Sequence, residues 1–199
     1  AIDYAFHQII GGVDDESLKG MKYLVDHEGV TSFKLFMAYP GVLYSDDGQI
    51  LKAMQAAAEC GAMIMMHAAN GIAIDVLVQQ ALARGDTDPR FHSYTRPSPL
   101  EAEATHRAIV LSHVAGNVPL YIVHMSAGDA LAHAAAARHA GRHVFAEPRP
   151  QCLWPTPGGR PAARPRGGVF RGRGSVPPPR RRSAPVPRSG WVEYFRPTP

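Results

Sequence analysis

VTSFKLFMAYPGVLYSDDGQILKAMQAAAECGAMIMMHAANG, residues 30–71, decides the fold. An apolar β-former run over Val30–Met37 is followed by a loop. A helical stretch over Asp47–Cys60 stops at Gly61, and a second apolar run covers Ala62–His67. Strand, helix and strand with a glycine stop is the pattern of a βαβ unit, whose two strands lie parallel in one sheet.

The same alternation continues on both sides. Tyr4–Ile10, Leu120–Met125 and His143–Ala146 are three further short runs of strand type. Asp14–His27 opens on Asp14, Asp15 and Glu16, spaces Leu18, Met21, Leu24 and Val25 along one face, and ends at Gly29. Ile72–Arg84, Pro99–Ala115 and Ala127–Ala140 are helical stretches closed by Gly85, Gly116 and Gly141. Continuous apolar runs such as AMIMM suit a sheet covered on both faces. A doubly wound open sheet and a (β/α)8 barrel both fit the alternation. No Gly-x-Gly-x-x-Gly follows a strand, which weakens the dinucleotide-binding version. Five strands in residues 1–147 amount to a little over half of a barrel that typically takes ~250 residues. The expected fold class is therefore α/β, a partial (β/α)8 TIM barrel of about five strands.

Composition divides the chain near residue 148. Residues 148–199 contain eleven Arg, no Lys and one acid, Glu193, so they carry +10 of a net +4 and leave −6 on residues 1–147. The same segment holds 13 of the 18 prolines and lacks apolar periodicity, so it is expected to be a disordered tail. Arg, Pro, Gly and Ala without Lys is also what GC-rich DNA yields when read out of frame, and a frameshift near residue 148 is the expected origin of the tail. The two cysteines, Cys60 and Cys152, make neither a disulfide framework nor a Cys-x-x-Cys knuckle. No apolar run approaches the ~20 residues of a membrane span, and no basic region leads into an apolar core as in a signal peptide. A cytoplasmic setting is the expectation.

Sites in either sheet architecture gather at the carboxyl ends of the strands. His67 ends AMIMMH, His124 holds the corresponding place in LYIVHM, and Lys34 sits within the apolar strand TSFKLFM. One strand-end His is commonly a hydrogen-bonded core residue; two in equivalent places point to a shared role. A lysine inside such a strand needs a partner, a shifted pKa or chemical modification, because desolvating its charge is costly. Carbamylation by CO2 would make it an anionic group able to bridge two cations, with neutral imidazoles as further ligands. Two ions roughly 3.5–4 Å apart can acidify a water and polarise a carbonyl, which suits amide hydrolysis without an acyl-enzyme. His27, His92, His106, His113, His133, His139 and His143 share no geometry and receive a structural reading; His7 lies in the first strand. Asp129 and Glu147 read as capping or supporting groups.

TSFKLFMAYPGVLYSDDG, MMHAANG, LYIVHMSAGDAL, DYAFHQII and HVFAEPRPQCL together resemble, in order, strand segments of the dihydropyrimidinase/D-hydantoinase family of cyclic amidohydrolases. The resemblance covers residues 1–147 and implies an internal fragment of such an enzyme. It implies Lys34 as the bridging carbamate and His67 and His124 as ligands of one metal, in a site of two divalent ions, zinc being the expected metal. Tyr39, five residues after the lysine, matches the tyrosine that hydrogen-bonds substrate and oxyanion, and Met37, Val42, Leu43 and Tyr44 match a substrate-gate loop. The implied reaction opens a hydantoin or dihydropyrimidine ring to an N-carbamoyl amino acid, in a homo-oligomer, commonly a tetramer. The chain departs from the family pattern at Ala69, where Glu is usual, and lacks its His-x-His and its last-strand Asp. Residues 1–199 are therefore expected to be inactive alone. Two other readings stand beside this one: a non-catalytic dihydropyrimidinase-like scaffold protein, and an Arg-rich tail that binds RNA or anionic surfaces.

Overall fold

The computed structural model describes residues 2–148. From residue 149 onward the expected tail lies outside the described residues.

Five parallel strands form one sheet: β1 (Gln8–Ile9), β2 (Ser32–Phe36), β3 (Met63–His67), β4 (Leu120–Met125) and β5 (Val144–Pro148), in the spatial order of the sequence. The connecting helices are α1 (Asp15–Glu28), α2 (Asp47–Cys60), α3 (Gly71–Ala83), α4 (Phe91–Tyr94), α5 (Ser98–Val114) and α6 (Gly128–His139). Local chemistry sets their ends. Asp14 caps α1 through Ser17 N, and Asp46 caps α2 through Gln49 N, each in a reciprocal box that satisfies two orphan donors. Gly29 and Gly61 close these helices at φ 69°, where a side chain would be strained.

Strand order separates the two architectures that the sequence left open. A doubly wound sheet must reverse direction; here every crossover steps the same way. Right-handed crossovers then place the helices on one face. Accordingly α1 packs on α2, α2 on α5 and α5 on α6 as a single outer layer. The chain forms the wall of a (β/α) barrel.

Burial follows this layering. Phe33, Leu35, Ile64, Met66, Leu120, Ile122 and Val144 face the helices and are buried. Their alternates Ile9, Lys34, Met63, Met65, Tyr121 and Phe145 are half-buried or exposed on the inner face. The sheet is thus covered on one face among the described residues, not on both as the apolar run AMIMM suggested. An inner barrel face is apolar too, so composition along the strand does not separate the two cases. β1 is shorter than the expected Tyr4–Ile10: only Gln8 and Ile9 pair with β2, and Tyr4 and Phe6 stand exposed. The α4 turn carries no helical period and was not expected.

Candidate metal and substrate site

Lys34, Phe36 and Tyr39 come from β2 and the loop after it, His67 from the end of β3, and His124 from the end of β4. Register explains the first group. Lys34 pairs with Met65 and Phe36 with His67, so Lys34, Phe36 and His67 alternate onto the inner face. Lys34 is half-buried there, with Nζ 5.3 Å from the Phe36 ring centroid, because its face opens away from the helices.

His124 does not follow from alternation. Tyr121 lies on the inner face, in register with Met65 and stacked with Phe145, so a regular β4 would point residue 124 at the helices. The strand breaks its register between Ile122 and Met125, three residues standing opposite two on β5. His124 adopts φ 45° within that irregularity. The extra residue inverts the parity, a known use of bulges beside functional sites. Met125 returns to the core at 1% exposure, and His124 turns inward.

The two imidazoles meet as a result. His67 Nδ1 lies 2.8 Å from His124 Nε2, with ring centroids 4.6 Å apart. His67 is buried, flanked by the rings of Phe36 at 5.3 Å and Tyr39 at 5.2 Å. Two imidazole nitrogens on one tetrahedral zinc stand about 3.3 Å apart, from bond lengths near 2.0–2.1 Å. The observed pair needs only about half an ångström of opening to share a cation. The donors fit an imidazole-preferring ion, and Lys34 lies on the adjoining strand. Among the described residues no three His, Cys, Asp or Glu converge as a complete ligand set.

The loop after β2 is folded on Tyr39. Its carbonyl accepts from the amides of Val42, Leu43 and Tyr44 at 3.1, 3.1 and 3.2 Å, and its φ is 68°. A non-glycine in that region is uncommon and is held there by its surroundings. Among the expected gate residues, Val42 is exposed, Leu43 and Tyr44 are half-buried, and Tyr44 bridges back to Phe36. Met37 differs: at 1% exposure it belongs to the core under the helices. Alternation places it opposite Phe36.

Ala69 packs with Ala38 and Ile74 in a small apolar cluster, so the place where the resembling family carries Glu is apolar here. His7 Nδ1 is bonded to Ser32 Oγ at 2.5 Å on the inner face. Glu147 accepts from Tyr121 Oη at 3.0 Å, and burial followed by this carboxylate pushes the Tyr121 phenol up to about 12. Asp129 sits in the first turn of α6.

Two residues at the site were not singled out in the sequence. Arg96 lines the cavity beside His124, its guanidinium fixed on the His92 carbonyl and Thr95 Oγ1, both at 3.0 Å. Burial lowers its pKa from the ordinary value, with Tyr39 opposing. Glu101 lines the same cavity and grips the loop after β4. Its only sequence signal, Ser-Pro-Leu-Glu at the start of α5, imitates a capping box, yet α5 has no side-chain cap.

No family model matches the chain. A D-hydantoinase of Streptomyces coelicolor is 66% identical over 154 residues, 77% of this chain and 32% of that protein. The dihydropyrimidinase of Arabidopsis thaliana is 40% identical over 147 residues, 74% of this chain and 28% of its own. Among solved structures, the dihydropyrimidinase of Brevibacillus agri NCHU1002 superposes with a TM-score of 0.74 at 46% identity, covering 76% of this chain and 33% of that one. An L-hydantoinase of Arthrobacter aurescens gives 0.68 at 30% identity, covering 75% and 33%. The chain spans about a third of the length of the relatives it matches. Sequence, strand order and superposition agree that this chain belongs, over that third, to the D-hydantoinase/dihydropyrimidinase family.

Proposed function

We propose that the chain carries part of the active site of a metal-dependent hydrolase that opens hydantoin or dihydropyrimidine rings to N-carbamoyl amino acids. The observation that carries this reading is the convergence of His67 and His124 at 2.8 Å on the inner face that also bears Lys34. His67 and His124 would hold one divalent ion, zinc by their chemistry, and carbamylated Lys34 would bridge to a second. The ions would supply Lewis acidity toward the ring carbonyl and a water of lowered pKa.

The chain's own residues supply binding and orientation. Tyr39, partly exposed and with its ring centroid 5.2 Å from that of His67, would offer a phenolic donor to the carbonyl oxygen as negative charge gathers there. Phe36 and the Val42–Tyr44 loop form an apolar wall for the ring substituent. Two imidazoles and one lysine are fewer ligands than two ions need, so residues 1–199 by themselves should bind metal weakly and not turn over.

Cobalt(II) binding by the full chain and by His67→Ala and His124→Ala, with dihydrouracil hydrolysis in parallel, tests both statements. The expected result is weak binding abolished by either substitution and no hydrolysis above free metal. Binding indifferent to both substitutions would overturn the site, and hydrolysis above free metal would overturn the inactivity. We also propose that residues 148–199 are a separate segment read out of frame. The support is their composition and the quarter or so of the chain that the relatives leave uncovered. Restoring a family-like continuation by a single-base change in the coding sequence tests it.

A further inference from the structure

Glu101 belongs to α5, yet its carboxylate is spent on the loop that follows β4. Oε1 accepts from the backbone amides of Ser126 at 2.6 Å and Ala127 at 2.9 Å, and Oε2 accepts from Ser126 Oγ at 2.6 Å. Three donors on one carboxylate, two of them short, make a charge-assisted clamp. Ala127 is the N-cap of α6 and provides no side-chain cap, so Glu101 also places its charge at the positive end of that helix.

The clamp grips the chain two residues after His124. That residue holds φ 45° inside the break of register that turns its ring toward His67. A regular strand would relax this conformation and send the ring to the helix side. The upstream end of the irregular stretch is fixed by the ladder pairs of Tyr121 and Ile122; the downstream end is fixed by Glu101.

We propose that Glu101 is the positioning residue for His124, holding the β4 bulge so that its imidazole stays beside His67. The geometric part of this stands on the contacts above. Its consequence for metal binding rests on the ligand reading of the previous subsection.

The bond pattern gives a discriminating variant. Both backbone amides go to Oε1, so Glu101→Gln can keep them on its carbonyl oxygen, while its amide nitrogen donates to Ser126 Oγ. Gln therefore preserves the geometry without the charge; Glu101→Ala removes both. The full-length chain and the variants Glu101→Gln, Glu101→Ala and Ser126→Ala are compared in two measurements. One is amide hydrogen exchange at residues 124–127 without metal, and the other is cobalt(II) affinity by chelator competition. In Glu101→Ala, exchange at 124–127 should rise about tenfold or more, and affinity should fall about 10–100-fold, the usual effect of losing a partner that orients a metal-ligating His. Glu101→Gln should stay within about threefold of the parent in both. If Glu101→Ala does not fold, Ser126→Ala, which loses one bond of three, should show a smaller change of the same kind. Unchanged exchange at 124–127 in Glu101→Ala would overturn the proposal. So would a Gln variant as damaged as the Ala variant, or a rise spread evenly along α6, which would mean capping alone. Should the parent bind no cobalt(II) while the exchange contrast persists, the ligand reading fails and the positioning role stands.

Discussion

Gly71→Ala tests how tightly the Tyr39 loop is seated. Gly71 opens α3, and its amide donates to the Met37 carbonyl at 2.9 Å, joining the residue after β2 to the start of α3. A Cβ at position 71 would lie 2.4 Å from Ala38 Cα, 2.8 Å from Met37 O and 3.1 Å from Ala38 Cβ. Two of these three are backbone atoms and cannot rotate away. Restoring ordinary carbon contacts near 3.5–4.0 Å requires the Met37–Ala38 backbone or the start of α3 to move by more than about 1 Å. Overpacking of this kind costs about 1–3 kcal/mol, and the amide bond to Met37 would lengthen as well. The opposing gain from replacing glycine is about 0.5–1 kcal/mol, so net destabilisation is expected. Gly20→Ala is the control. Gly20 lies in α1 with nothing within 4 Å of its would-be Cβ, so that variant should gain about the same 0.5–1 kcal/mol. Urea unfolding followed by circular dichroism reads both, and limited proteolysis within 37–44 reads the loop. A Gly71→Ala chain as stable as the parent, with unaltered cleavage in that loop, would refute the close-packing argument. Under the proposed role of Tyr39 the seating of this loop matters, since a misplacement of about 1 Å at a reacting group can cost a hundredfold in rate.

Two further expectations concern the sheet. Leu35→Ala removes a fully buried side chain from β2 on the helix side and should cost about 2–5 kcal/mol in the same urea assay; a loss below about 1 kcal/mol would show that the helix layer is not packed there. Tyr121 should ionise near pH 12 rather than at its ordinary value of 10.0, and Glu147→Gln should bring it back down when tyrosinate absorbance is titrated. Because its folded pKa is the higher one, the contribution of Tyr121 to stability is complete below pH 10.0 and fades as pH rises toward 12. No shift on Glu147→Gln would mean that the bond of Tyr121 Oη to Glu147 is not formed in solution.

Much of the fold was legible in the sequence because its signals are local. Alternating apolar runs and helical periods, the acidic opening at Asp14, and glycine stops at Gly29 and Gly61 each act within a few residues, and apart from β1 and α4 the elements fell within a few residues of expectation. The first strand fell short because pairing, rather than propensity, makes a strand. Lys34 and His67 were readable as site candidates, since each sits on a strand whose regular alternation carries it to the inner face.

What the sequence could not determine depends on contacts between elements distant along the chain. The apolar content of β3 is the same for a sheet covered on both faces and for a barrel wall, and only the strand order chose between them. Counting by twos along LYIVHM puts His124 on the wrong face, and the bulge that reverses this is visible only against β5. Glu101 looks like an ordinary first-turn acid until the loop after β4 is brought against it. The sequence by itself determined most of the elements and named Lys34, His67 and His124 as candidates. The tertiary structure decided which of those residues meet, because side-chain parity and hydrogen-bond partners are properties of pairs of elements rather than of any one of them.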